Sequence, residues 1–182
     1  PIVIGISAKT QNFISATMVA KIAKELNSEI RIIVGGVHPT MNRSKVLENK
    51  YIDYISIGEG EDTIVKLLIT LENGKDLESV DGIMFKKDGK IITTKPRSYV
   101  ENLDSLDFPL IHAPKVLKDF EKFPKEAFGY IFASRGCPYA CTFCESKSMW
   151  TRKVRYRSPE NIVAELKKMY DFGIKKVNFD DD

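Results

Sequence analysis

Residues 135–144 read RGCPYACTFC, and this stretch holds every cysteine of the 182-residue chain, at positions 137, 141 and 144. It follows Gly129 to Ser134, which reads as a strand running directly into the loop. That setting matters, because backbone turns after a strand can point three thiolates at one centre. Three clustered cysteines make a poor disulfide framework and a plausible ligand set for a reducing compartment. Iron–sulfur cubes are usually held by four thiolates; a cube held by three leaves one iron open to a substrate or cofactor. Zinc on three cysteines and a histidine competes, with His38 and His112 the chain's two histidines. Redox exchange through Cys141 and Cys144 is a third reading.

Outward from the loop, the composition is that of a globular protein of one or two domains, 43% hydrophobic and 29% charged. A net charge of +3 from 28 basic and 25 acidic residues leaves nucleic acid unindicated as a partner. No apolar run approaches the roughly 20 residues of a membrane span. PIVIGIS at the start lacks the features of a signal peptide, so a soluble, cytoplasmic protein is expected. The chain opens inside a strand pattern without an initiator methionine and stops at Asn178-Phe179-Asp180-Asp181-Asp182 after another. It reads as a slice of something longer.

Ile2 to Ser7 predicts a strand, and Met18, Val19, Ile22, Ala23 and Leu26 carry helical spacing. Ile30 to Val34 predicts a second strand ending in Gly35-Gly36. A short helix is expected near Ser44 to Glu48, and a strand over Tyr54 to Ile57. After Gly58-Glu59-Gly60-Glu61 the spacing of Ile64, Val65, Leu67, Leu68 and Leu71 predicts a helix stopped at Asn73-Gly74. Strands buried on both faces and alternating with helices indicate an α/β fold with a parallel sheet, here the later strands of a doubly wound domain. Asp88-Gly89 between Gly82–Lys86 and Ile91–Lys95 signals a hairpin. Prolines 96, 109, 114 and 124 predict an irregular linker. Ser158-Pro159-Glu160 opens a helix that ends at Gly173, and Lys176 to Phe179 is the next strand. The domain reading is 1–75, then a hairpin and linker over 76–125, then 126–182.

CPYACTFC, with an aromatic residue just before its third cysteine, resembles the signature of radical S-adenosylmethionine (SAM) enzymes. The surrounding strand, loop and helix resemble the first unit of their partial TIM-type barrel. The resemblance covers roughly residues 126–182. It implies that Cys137, Cys141 and Cys144 hold a 4Fe-4S cluster whose open iron binds S-adenosylmethionine, and that an external electron donor such as flavodoxin or ferredoxin feeds it. Phe143 then becomes a candidate adenine contact. Asp181, within the aspartates after the second barrel strand, lies where such barrels place active-site groups. Arg152, Lys153, Arg155 and Arg157 read most simply as a solvated loop.

GGVHPT at 35–40 and the GEGE loop at 58–61 end neighbouring strands, the edge where open α/β sheets bind ligands. Together, upstream of the cysteine loop, they resemble the cobalamin-binding domain fused to one branch of the radical SAM family, over about residues 1–75. Ser7, Gly35, Gly36, Gly58, Glu59 and Gly60 become candidate cobalamin contacts. His38 is expected to shape the loop or touch the cofactor's tail in preference to ligating cobalt. The resemblance implies methyl transfer to an unactivated centre of a small-molecule substrate, with ring formation or another rearrangement as the alternative. A radical methylthiotransferase would want further cysteines upstream, and residues 1–136 contain none. A zinc-stabilised binding module is the non-enzyme rival.

Overall fold

The computed structural model describes residues 2–181. They form two compact units, Pro1–Tyr99 and Val100–Asp182.

The first unit begins with β1 (Val3–Ser7), α1 (Phe13–Leu26), β2 (Arg31–Gly35), α2 (Val37–Leu47) and β3 (Tyr54–Ser56). It continues with α3 (Glu61–Glu72), β4 (Ile83–Lys87) and β5 (Lys90–Thr93). The sheet has the order β1-β2-β3-β4-β5. Its first three strands run parallel, pairing Val3 with Arg31 and Ile33 with Tyr54, and the last two turn antiparallel. Alternation along β2 feeds two cores. Ile32 and Val34 join Ala16, Ala20, Ala23, Val46 and Leu47 on one face, while Ile33 joins Tyr54, Leu67, Ile83 and Phe85 on the other. Helices therefore cover both faces, as a parallel sheet requires. Leu67, fully buried on α3, contributes about 1.5–3 kcal/mol by leaving water.

α1 differs from expectation in the face it buries. Its inward stripe is Ala16, Ala20 and Ala23, and the larger Met18, Val19, Ile22 and Leu26 are exposed. Small side chains let the helix lie close on the sheet, which a search for bulky apolar spacing overlooks. The hairpin forms as expected: Asp88 and Gly89 both have positive φ, 51° and 73°, the requirement of its two-residue primed turn. Its strands belong to the first sheet, so the 76–125 stretch is shared between the two units.

The second unit contains α4 (Pro109–Val116), β6 (Tyr130–Ile131), β7 (Ser134–Arg135), α5 (Ser146–Met149), β8 (Arg155–Tyr156), α6 (Pro159–Phe172) and β9 (Asn178–Phe179). α4 sits in a stretch the prolines marked as irregular, because Pro109 occupies the helix's first position, where its missing N–H costs nothing. α6 is bounded as its sequence predicts. Ser158 Oγ accepts the Asn161 N–H at 3.1 Å, and Gly173, at φ 98°, closes the helix with its N–H on the Tyr170 carbonyl. β6 and β9 pair in parallel across α6, with Tyr130 opposite Asn178, giving one strand–helix–strand unit. Its core joins Ile131, Met169 and Ile174 to Phe128, Leu166, Phe172 and Val177. Among the described residues no helix is long and apolar enough to cross a membrane.

Candidate functional site

In the second unit, the cysteine loop is fastened at its entry from two sides. β7, which leads into it, pairs antiparallel with β8, setting Ser134 opposite Tyr156 and Arg135 opposite Arg155. Gly136 follows at φ 108°, and a Cβ there would lie 2.6 Å from the Lys153 carbonyl oxygen. Both the dihedral and the close approach require glycine. From the other side, Asp181 Oδ1 accepts the N–H groups of Ala133 and Ser134, both at 2.8 Å. The Asp180 N–H bonds the Ile131 carbonyl at 2.9 Å, holding the carboxylate-bearing segment in register.

Beyond Gly136 the loop carries its thiols free of disulfides, Cys141 exposed and Cys137 and Cys144 half-buried. The Cys144 N–H reaches the Cys141 carbonyl at 3.3 Å, and Phe143 is 89% exposed. Among the described residues no three His, Cys, Asp or Glu side chains are grouped as metal ligands. The donor set itself, three free thiols within eight positions of one loop, has the chemistry of an iron–sulfur site. Asp182, the last of the three aspartates, lies outside the described residues.

The basic residues after the loop are not the solvated run expected for all of them. Arg152 and Lys153 are exposed, with Lys153 paired to Glu101 at 2.9 Å. Arg155 is only 4% exposed and donates to the Val100 carbonyl at 2.7 Å. Arg135 and Arg155 both lie over the Trp150 ring, at 5.5 and 6.0 Å. Arg157 pairs with Glu165 at 2.6 Å and also donates to Asn161 and to the Phe132 carbonyl. Arg155 lies on β8 and Arg157 follows it with its N–H on the Ala133 carbonyl at 2.9 Å, so both arginines turn inward against the polar pattern. Nearby, the hydroxyl of Ser158 and then its N–H hold the Asp104 carboxyl below its ordinary pKa.

In the first unit, Ser7, Gly35 and Ser56 end the three parallel strands side by side. The Ala8 N–H bonds the Gly35 carbonyl at 2.8 Å, and the His38 N–H bonds the Ala8 carbonyl at 3.0 Å. Gly36 has φ 96°, and a Cβ there would sit 3.0 Å from the Ala8 carbonyl oxygen. Thr40, 3% exposed, bridges the two glycine loops by donating to the Gly36 carbonyl at 2.8 Å and accepting the Gly58 N–H at 3.0 Å. A Cβ placed on Gly58 or Gly60 would meet no atom within 4 Å. Glu59 between them is turned inward, 2% exposed, and its carbonyl accepts from Arg97.

His38 stacks on Phe13 with ring centroids 4.0 Å apart, and its Nδ1 is met by Thr10 Oγ1 at 3.1 Å and Asn42 Nδ2 at 3.3 Å. Burial holds its imidazole below the ordinary pKa. The Ser56 hydroxyl is buried among the described residues without a hydrogen-bond partner. An open glycine edge beside an unanswered hydroxyl suits a polar group brought to these strand ends, as a cobalamin tail would be.

The structure thus gathers Ser7, Gly35, Gly36, His38 and Gly58 at one edge of the first unit, and sets Asp181 at the entry to the cysteine loop in the second. Thr40, Thr10, Phe13, Asn42 and Ser56 were not legible as site residues. Thr40 lies within the quoted GGVHPT, and its two-sided hydroxyl chemistry was the available signal. α2 is broken at Arg43, at φ 28° and ψ −105°, so the short helix expected near Ser44 to Glu48 is its second part, and the turns from Val37 to Asn42 that follow Gly36 are what the spacing does not predict.

Two family models match the chain: a B12 binding domain over residues 1–68 and the radical SAM superfamily over residues 131–179. An uncharacterised methyltransferase of Pyrococcus horikoshii is 34% identical across the whole chain, which covers 40% of that protein. An anaerobic magnesium-protoporphyrin IX monomethyl ester cyclase of a Synechocystis strain is 37% identical over 74% of the chain and 27% of its own length. Among solved structures, the cobalamin-dependent S-adenosylmethionine radical enzyme OxsB, with aqua-cobalamin and S-adenosylmethionine bound, superposes with a TM-score of 0.77. It is 23% identical, and the match covers all of this chain and 26% of that one. The chain spans well under half the length of each of these proteins.

Proposed function

On the premise that this chain belongs to the family of enzymes joining a B12-binding domain to a radical SAM domain, we propose that it supplies the cofactor-holding parts of a cobalamin-dependent radical SAM methyltransferase. The observation that carries this reading is the conjunction of a three-thiol loop, fastened by Gly136 and Asp181, with an α/β unit that opens a glycine edge at its strand ends. Cys137, Cys141 and Cys144 ligate a 4Fe-4S cluster through their thiolates. Phe143, exposed on the same loop, contacts the adenine of S-adenosylmethionine. Asp181 holds the amides of Ala133 and Ser134 ahead of the loop. In the first unit, Gly58 and Gly60 let the cobalamin tail approach the backbone, with Ser7, Gly35, Gly36, His38 and the Ser56 hydroxyl around it and Glu59 supporting the loop from within.

When bound, these groups supply reductive cleavage of S-adenosylmethionine and methyl transfer to an unactivated centre of a small molecule. The protein works in the cytoplasm with an external electron donor such as flavodoxin or ferredoxin. Ring formation is the second reading, supported by the 37% identity to a protein named as a cyclase. The test is anaerobic reconstitution of the chain with iron and sulfide, alongside titration with hydroxocobalamin. Cluster absorption and a protein-bound corrin spectrum are expected. Stoichiometric tightly bound zinc in place of a cluster would overturn the radical SAM half, and absence of corrin binding the cobalamin half. Product analysis with the full-length enzyme separates methyl transfer from ring formation.

A further inference from the structure

We infer that His38 is held as the neutral Nε2–H tautomer and serves bound cobalamin as a hydrogen-bond donor, not as a nitrogen ligand to cobalt. The tautomer is read from the side chain's own partners; the donor role rests in addition on the cobalamin reading above.

Asn42 fixes the tautomer. Its side-chain nitrogen lies 3.2 Å from the His38 carbonyl oxygen, and a carbonyl only accepts, so that terminal atom is the amide NH2 and not the amide oxygen. The same nitrogen lies 3.3 Å from His38 Nδ1. A donor facing Nδ1 requires Nδ1 to present its lone pair. The Thr10 hydroxyl, 3.1 Å from the same ring nitrogen, can donate to it as well. In a neutral imidazole the single proton then sits on Nε2.

The surroundings hold that arrangement. Burial disfavours the charged ring, in which both nitrogens would be donors. Phe13 stacks at 4.0 Å and fixes the plane, and the backbone N–H on Ala8 fixes the residue beside Gly36 at the strand edge. Ligation of cobalt through Nε2 would require that nitrogen to give up its hydrogen. The proton would then move to Nδ1, where it would oppose the Asn42 NH2 group. What His38 offers the edge is therefore an N–H group, suited to a phosphate or amide oxygen, and cobalamin's tail and side chains carry both.

Long-range proton–nitrogen correlation spectra of the ¹⁵N-labelled apoprotein test the tautomer directly: Nδ1 is expected unprotonated, and an Nδ1–H ring overturns the inference. The ligand question is answered by electron paramagnetic resonance of cob(II)alamin bound to the labelled chain. Nitrogen splitting that changes from triplet to doublet with protein ¹⁵N would identify a protein ligand, and its loss in His38→Gln would make His38 that ligand. No such isotope effect is expected. In binding titrations with hydroxocobalamin, His38→Ala is expected to weaken affinity about tenfold. His38→Gln, which keeps a donor near the Nε2 position, should stay within about threefold of the unaltered chain. Equal affinity in all three overturns the donor role. A chain that binds no cobalamin at all defeats the reading under Proposed function, and the donor role with it, while the apoprotein spectrum still decides the tautomer.

Discussion

Asp181 Oδ1 accepts the Ser134 N–H at 2.8 Å, so the segment after β9 holds the residue that opens the strand before the cysteine loop. Because the same oxygen also holds the Ala133 N–H, removing the carboxylate frees two amides at once. Asp181→Ala should speed hydrogen exchange at 133 and 134 and lower the iron retained after reconstitution. Asp181→Asn, which keeps one accepting oxygen without the charge, should fall between. Unchanged protection at both amides in Asp181→Ala would remove this role.

Gly136 and Gly60 make a matched pair for substitution. An alanine at Gly136 meets both φ 108° and a carbonyl oxygen at 2.6 Å, so Gly136→Ala should destabilise the second unit by about 1–3 kcal/mol and reduce cluster loading. Gly60 has φ −94°, and its Cβ would point into open space. Gly60→Val should leave the melting temperature nearly unchanged while weakening cobalamin binding. A melting curve and a corrin titration on each variant decide both statements.

The Arg157–Glu165 pair is buried, with side-chain exposures of 12% and 4%. Losing one partner strands the other charge away from water. Arg157→Met and Glu165→Gln should therefore each cost about 3–5 kcal/mol in urea unfolding, whereas Arg157→Met/Glu165→Leu together should recover much of the loss. Additive single and double effects would show that the two side chains are not coupled.

Asp104 gives a pH dependence with a defined sign. Its folded pKa is lowered by the Ser158 hydroxyl and N–H, so its stabilising contribution is present above the unfolded carboxylate value of about 3.9. That contribution is lost as pH falls through the folded value. Asp104→Asn should lower stability at neutral pH, where the contribution is fully present, and leave stability well below about pH 4 nearly unchanged, so that the acid side of the profile flattens. An unchanged acid limb would contradict the bond to Ser158.

The alternating helix and strand signals of the first unit were legible because each carries its own period. The hairpin was legible because Asp-Gly fits a two-residue primed turn. The same local reading missed the buried face of α1, whose alanines give a weak hydrophobic signal, and the first part of α2, which lies ahead of the break at Arg43 and of the apolar spacing. At the cysteine loop the thiols announce themselves by spacing. The residues that position the loop do not, because Asp181 reaches Ala133 and Ser134 across 47 or more residues of sequence. Arg155 and Arg157 misled for a similar reason: their burial depends on β8 pairing with β7 and on Glu165, neither visible in the charges alone.

The central claim is that the three thiols hold a cluster with an iron left open for S-adenosylmethionine. Its most direct test is electron paramagnetic resonance of the anaerobically reconstituted and reduced chain, recorded without and with S-adenosylmethionine. About four irons per chain are expected, with a reduced-cluster signal whose g-values shift when S-adenosylmethionine is added and which is lost in Cys137→Ala, Cys141→Ala or Cys144→Ala. A signal indifferent to S-adenosylmethionine, or one that survives those substitutions, would contradict it.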